Sequence, residues 1–247
     1  MEEILIKSKR IHDDFYLNEK FLVKESFKFL LNEVKKNHDT KFSLIDIGCA
    51  TGVFISYVNK ELPDVRISGA DILENLLAKA KDNCPSAQLY QMDIYDNNSV
   101  KQKLKDNKYD AVVLDGVHTI FDEVKPWIEN LIKLVSENGT IYIFGSFNES
   151  DFDVITRVKS INSEVWEKGW NRFSLKTVKN EFEKNNFDVT MKKFNLDLDI
   201  KKTDDDRRTY THRLENGTRI TRNGLELIST PYLIMCKKIK DNTNDHK

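Results

Sequence analysis

Phe42-Ser43-Leu44-Ile45-Asp46-Ile47-Gly48-Cys49-Ala50-Thr51-Gly52 closes one regular element and opens another. Residues 42–47 are a short run rich in β-formers that stops at a glycine, which predicts a buried strand. Gly48 and Gly52 bracket a tight turn, and residues 53–59 resume with helical spacing. Strand, glycine turn and helix form the opening unit of a nucleotide-binding α/β fold. Glycine lets backbone approach a ligand where a Cβ would collide, and a helix N-terminus offers free N–H groups and a positive dipole end. The spacing Gly48-x-x-x-Gly52, with Ala50 between, fits the G-x-G-x-x-G loop of dinucleotide binding poorly.

Outward from this loop the chain alternates. Strands are expected at 65–70, 87–92, 109–114 and 140–144, separated by helices at 74–82, 97–105 and 122–135. Right-handed crossovers then give a doubly wound α/β sheet. A helix precedes the first strand, with Val23, Phe27, Leu30, Leu31 and Val34 in helical register. Residues 151–159 read as another helix, and 187–194 and 231–237 as a final strand pair. Between that pair, residues 197–228 are longer than a hairpin needs. Within them Glu215-Asn216-Gly217 is a strong turn signal flanked by alternating residues.

The 247 residues suit one sizeable domain, at 39% hydrophobic and 32% charged. A net charge of −1 gives no electrostatic case for nucleic acid or a membrane surface. Cys49, Cys84 and Cys236 are odd in number and widely spaced, which points to a reducing compartment with no disulfide framework and no metal cluster. Residues 1–7 lack a signal-peptide layout, so the cytoplasm is the expected location.

The run Asp46-Ile47-Gly48-Cys49-Ala50-Thr51-Gly52 resembles motif I of class I S-adenosylmethionine-dependent methyltransferases, acidic-x-G-x-G-x-G, with Ala50 in place of the middle glycine. In organisation the resemblance covers residues 40–145. It implies a seven-stranded, mostly parallel sheet whose seventh strand inserts antiparallel between the fifth and sixth. The implied plan is one domain over 1–240, with a helical lid at 1–39, a cofactor half at 40–145 and a substrate half at 146–240. The 197–228 insertion interrupts that last half, and 241–247 form a disordered tail.

The same resemblance assigns cofactor contacts. Asp46, Gly48, Ala50 and Gly52 would cradle S-adenosylmethionine. Asp71, 23 residues beyond Gly48, stands where a carboxylate holds a ribose diol, though a capping role for the helix at 74–82 is also open. Asp93 would meet the adenine amino group, Ile72 and Ile94 would sandwich the ring, and Asp115 with Gly116 would face the ammonium end. At Asp93 and Ile94 a loop carboxylate and a core side chain are equally good readings. His118, beside the acceptor, would serve as general base, or else pack in its loop.

For the acceptor, Tyr16 and Phe15 on the lid, Phe147 and Asn148 after the fifth strand, Arg172, and Arg208 within the insertion are the candidate contacts. Forked arginine contacts suit phosphate or carboxylate. However, residues 197–228 hold seven basic and seven acidic side chains, so only local clustering of charge matters. A small polar acceptor methylated on oxygen is favoured over nucleic acid, since no Asn/Asp-Pro-Pro-aromatic motif follows the fourth strand. The competing readings are a nicotinamide-dependent oxidoreductase, which should show a third glycine near residue 53, and a non-catalytic binding module.

Overall fold

Side chains alternate between two faces along every central strand, and this decides the architecture. The computed structural model describes residues 6–7, 16–17 and 22–240. Phe15 and the tail at 241–247 lie outside them. In β1 (Ser43–Ile47), Leu44 joins one apolar layer while Ile45 and Ile47 join the other. The strands β4 (Tyr109–Asp115), β5 (Val135–Ser146) and β7 (Pro231–Lys238) repeat the pattern. Ala111, Val113, Tyr142, Phe144, Leu233 and Met235 face one layer; Val112, Leu114, Ile141, Ile143, Ile234 and Cys236 face the other. A sheet apolar on both faces must be covered on both by helices.

The covering helices supply matching stripes. On one side lie α1 (Glu25–Asn37), through Phe27, Leu30, Leu31 and Val34, and α2 (Val53–Glu61), through Phe54, Ile55 and Val58. The opposite layer takes α4 (Asn97–Leu104), α5 (Lys125–Leu134) and α6 (Leu175–Glu183), with Trp127, Leu131 and Phe182 fully buried. A further helix, α3 (Glu74–Asn83), follows β2 (Arg66–Asp71).

With β3 (Gln88–Gln91) and β6 (Phe187–Lys193), the seven strands run in the order β3-β2-β1-β4-β5-β7-β6. The first five pair in parallel, and β7 pairs antiparallel with both β5 and β6. Because β1 to β5 are parallel, all their carboxyl ends open onto one rim, where ligands bind in sheets of this kind. The expected doubly wound, seven-stranded sheet is present.

Residues 151–159 are not the expected helix. Val154 bridges Arg172, and Arg157–Val158 pairs with Trp166–Lys168, which also takes Ile6–Lys7 as a parallel neighbour. Asn148 and Asp153 side chains hold backbone amides of Ser150 and Ser174 at 3.2 and 2.7 Å, a local competitor to helical bonding. The insertion folds as anticipated around its glycine turn: Thr209–Arg213 pairs with Arg219–Asn223, which in turn pairs with Ile228–Ser229. Gly217 occupies the left-handed region at φ +83°.

The loop after β1 is built from three left-handed residues in alternation, Gly48 at φ +77°, Ala50 at +47° and Gly52 at +75°. A Cβ on Gly48 would also lie 2.2 Å from Val117 Cγ2. Ala50 therefore bears strain of about 1–2 kcal/mol that a glycine would not. Gly48→Ala should accordingly destabilise by about 2–4 kcal/mol, whereas Ala50→Gly should be neutral or stabilising by up to about 1 kcal/mol after its entropy cost. Urea unfolding of the two variants checks this. The reverse ranking would contradict the strain.

Candidate active site

A cleft of about 220 Å³ opens at the carboxyl ends of β1, β2 and β4. Its floor is the loop Gly48 to Thr51, and one wall carries Asp71 and Leu76. Opposite stand Asp115, Gly116, Val117, Thr119 and Ile120, from the end of β4 and the 3₁₀ turn Val117–Ile120. Tyr16, Lys24 and Phe27 close it from the N-terminal side, and Lys168, Gly169 and Trp170 form an outer lip.

Backbone hydrogen bonds hold the floor in shape. Gly48 N–H and Cys49 N–H both donate to the Ala70 carbonyl, at 2.7 and 3.0 Å, tying the loop to the end of β2. Ala50 N–H donates to Asp71 Oδ2 at 3.0 Å, and Leu73 N–H donates to the other carboxylate oxygen at 3.0 Å. Asp71 thus clamps two loops while bordering the cleft. The residue at the start of α3 is Leu73, so Asp71 does not cap that helix.

Three carboxylates, Asp46, Asp71 and Asp115, share this rim. Burial, and then the neighbouring charges of Asp115 and Asp71, push the Asp46 carboxyl well above its ordinary range. Asp115 is half-buried at the mouth. Desolvation raises its pKa to about 6, with Lys24 pulling the other way. Anionic groups that repel one another out of water favour a cationic ligand, because a nearby positive charge restores their charged forms.

Of the residues singled out in the sequence, Tyr16, Asp46, Gly48, Ala50, Asp71, Asp115 and Gly116 line the cleft. Gly52 starts α2 just beneath it. Ile72 is 37% exposed and Ile94 is buried in the core beside Met92 and Val100; neither is among the residues that line the cleft. Asp93 accepts from Tyr95 N–H at 2.9 Å through its carboxylate, in the loop before the next helix.

His118 does not stand beside the cleft. The ring is fully buried and stacks parallel on Phe147 at 4.4 Å, in space that exists because Gly145 has no Cβ. Its Nε2 lies 3.2 Å from the Ser146 carbonyl, and Nδ1 has no hydrogen-bond partner. Burial drives its pKa down to about 4, so the ring is neutral at physiological pH. Phe147 is equally a core residue and not a cleft contact. Asn148 turns back to the Phe152 carbonyl at 2.8 Å. Arg172 borders a second, smaller chamber, and Arg208 lies in the insertion beside Asp205 at 3.4 Å.

Lys24, Thr119, Lys168 and Trp170 also line the cleft. They come from segments with no periodicity linking them to the glycine loop, and only the fold brings them there. Trp166, in the same stretch as Trp170, remains 37% exposed.

A family model for a methyltransferase domain matches residues 45–141. The chain is 28% identical over 127 residues to a malonyl-[acyl-carrier protein] O-methyltransferase of Halalkalibacterium halodurans, covering 50% of this chain and 46% of the relative. It is 21% identical over 174 residues to malonyl-[acyl-carrier protein] O-methyltransferase 2 of Ilyobacter polytropus, covering 70% and 63%. The chain thus matches only about half to two thirds of these relatives' length. Among solved structures, the DhpI–SAH complex superposes with a TM-score of 0.59 at 11% identity, covering 93% of both chains. YcgJ of Bacillus subtilis gives 0.58 at 12% identity, covering 86% of this chain and 98% of that one.

The burial of His118 has a measurable sign. Its folded pKa is depressed, so between pH 6.5 and 4 the unfolded chain takes up a proton that the folded chain refuses, and stability falls on acidification. A non-titrating His118→Asn variant escapes this loss. Its deficit against wild type, measured by urea unfolding, should shrink by roughly 2–3 kcal/mol from pH 7.5 to pH 4. A deficit independent of pH would place the ring in contact with solvent.

Proposed function

We propose, from the premise that this chain is a class I S-adenosylmethionine-dependent methyltransferase, that it methylates an oxygen of a small polar acceptor bound at the outer lip of the cleft. The observation that carries the reading is the trio of carboxylates, Asp46, Asp71 and Asp115, gathered around a floor of exposed backbone. S-adenosylmethionine bears an ammonium and a sulfonium, and this rim suits both. A dinucleotide would set its anionic pyrophosphate against the same three groups.

In this reading the Gly48–Thr51 backbone supports the nucleoside, and Asp71 takes the ribose hydroxyls. Each of its oxygens accepts a backbone N–H, and a carboxylate oxygen offers more than one acceptor site. Asp115 and Asp46 face the amino-acid end. Bound there, the cofactor would supply an electrophilic methyl carbon for an acceptor oxygen's lone pair. The protein's part is to align the acceptor and exclude water. Val117, Ile120 and Trp170 give the lip its apolar surface for this.

With His118 buried behind β5, an acceptor that is already an anion at neutral pH, needing no base, fits the site better than a neutral alcohol. The names of the curated relatives support oxygen as the methylated atom.

Calorimetry tests the proposal. S-adenosylhomocysteine should bind, NAD should not, and Asp71→Ala should weaken the binding by about 10- to 100-fold, the worth of hydrogen bonds to a charged group. Binding of NAD alone, or an unchanged affinity in Asp71→Ala, would defeat it.

A further inference from the structure

A second chamber, of about 70 Å³, adjoins the outer end of the cleft, and Thr119 and Trp170 line both spaces. Its charged lining residues are Arg172 and Arg222, and no carboxylate is among the residues that form its wall. The Nε of each arginine is buried without a hydrogen-bond partner. Arg172 Nη1 donates to the Ile228 carbonyl at 3.1 Å, and the Nη2 end of Arg222 pairs with the exposed Glu226. Ser146 Oγ, also on the wall, accepts from Thr230 N–H at 3.1 Å, and its own hydrogen remains to donate.

We infer that this chamber is an anion subsite that anchors the acceptor through a carboxylate or phosphate group; the inference rests on the methyltransferase reading above. Buried guanidinium N–H groups without acceptors are costly, and a group with two or three anionic oxygens would satisfy both at once. Charge is segregated along the combined space. Asp46, Asp71 and Asp115, with Lys24, border the cleft, Lys168 at its lip is paired with Asp122, and Arg172 and Arg222 line the chamber beyond. A cation at the inner end and an anion at the outer end complement that polarity.

Trp170 divides the two spaces. It sits at φ +57°, a left-handed conformation rare for a bulky residue, and Asn171 N–H fixes the strand beside it by donating to the Thr119 carbonyl at 2.8 Å. An acceptor anchored beyond this wall would reach back past Trp170 to present its nucleophile. Arg172 and Arg222 both lie outside the matched region 45–141, in the half of the chain where the insertion contributes to the site.

The test titrates sodium phosphate and, separately, sodium malonate into protein saturated with S-adenosylhomocysteine, using wild type, Arg172→Gln and Arg222→Gln. At least one anion should bind wild type, and both variants should weaken it by at least about tenfold, with S-adenosylhomocysteine affinity kept within about twofold. The anion that binds more tightly names the group. Should Arg172→Gln fail to fold, as judged by its melting curve, Arg222→Gln on the exposed hairpin decides alone. No binding of either anion to the saturated wild type, or a change under about threefold in the folded variants, would overturn the inference. Failure of S-adenosylhomocysteine itself to bind would instead overturn the methyltransferase reading.

Discussion

Three aspartates gathered at one sheet rim are the constraint on which the rest of the site depends. Parallel pairing of β1, β2 and β4 delivers Asp46, Asp71 and Asp115 to neighbouring strand ends, whatever their mutual repulsion. The surrounding structure relieves this in part. Two backbone N–H groups bond to Asp71, and Lys24 offsets the rise at Asp115. Asp46 is pushed well above its ordinary range by desolvation and by the charges of Asp115 and Asp71. A fold that retains such a cluster is poised for a cation, whose arrival would favour the charged forms of Asp46 and Asp115.

The glycine loop is the second half of the same device. Its left-handed residues turn amides toward Ala70 and Asp71 and leave bare backbone as the floor of the cleft. Tolerance of alanine at position 50 but not at 48 follows from packing, because only at 48 would a Cβ meet the 3₁₀ turn through Val117. That turn in turn carries Thr119, which touches both the cleft and the arginine chamber. A short covalent path thus joins the two ends of the site.

Much of this was legible in the sequence. Apolar runs at 109–114 and 140–144, and aspartates closing successive strands, were enough to give the sheet and its functional rim. The Glu215-Asn216-Gly217 turn was legible because its glycine requirement is local. Other features depend on distant partners. The side chain of His118 turns inward because Gly145 and Phe147, on a neighbouring strand, make room and a stacking surface for it. Residues 151–159 carry β-branched side chains at 154, 155, 156 and 158, and pairing with 166–172 takes them as extended backbone. Trp170 and Lys168 reach the cleft from a stretch with no periodic signal at all, and Arg222 reaches Arg172 only because the insertion folds back over the rim.

The carboxylate rim can be observed directly by ¹³C NMR titration of the aspartate side chains, without and with S-adenosylmethionine. The account predicts that Asp115 titrates near pH 6 in the free protein and that its midpoint falls by a unit or more, roughly, when the cationic ligand is bound. A midpoint that stays in place at saturating ligand would mean that the positive charge lies elsewhere, and would contradict the account at its root.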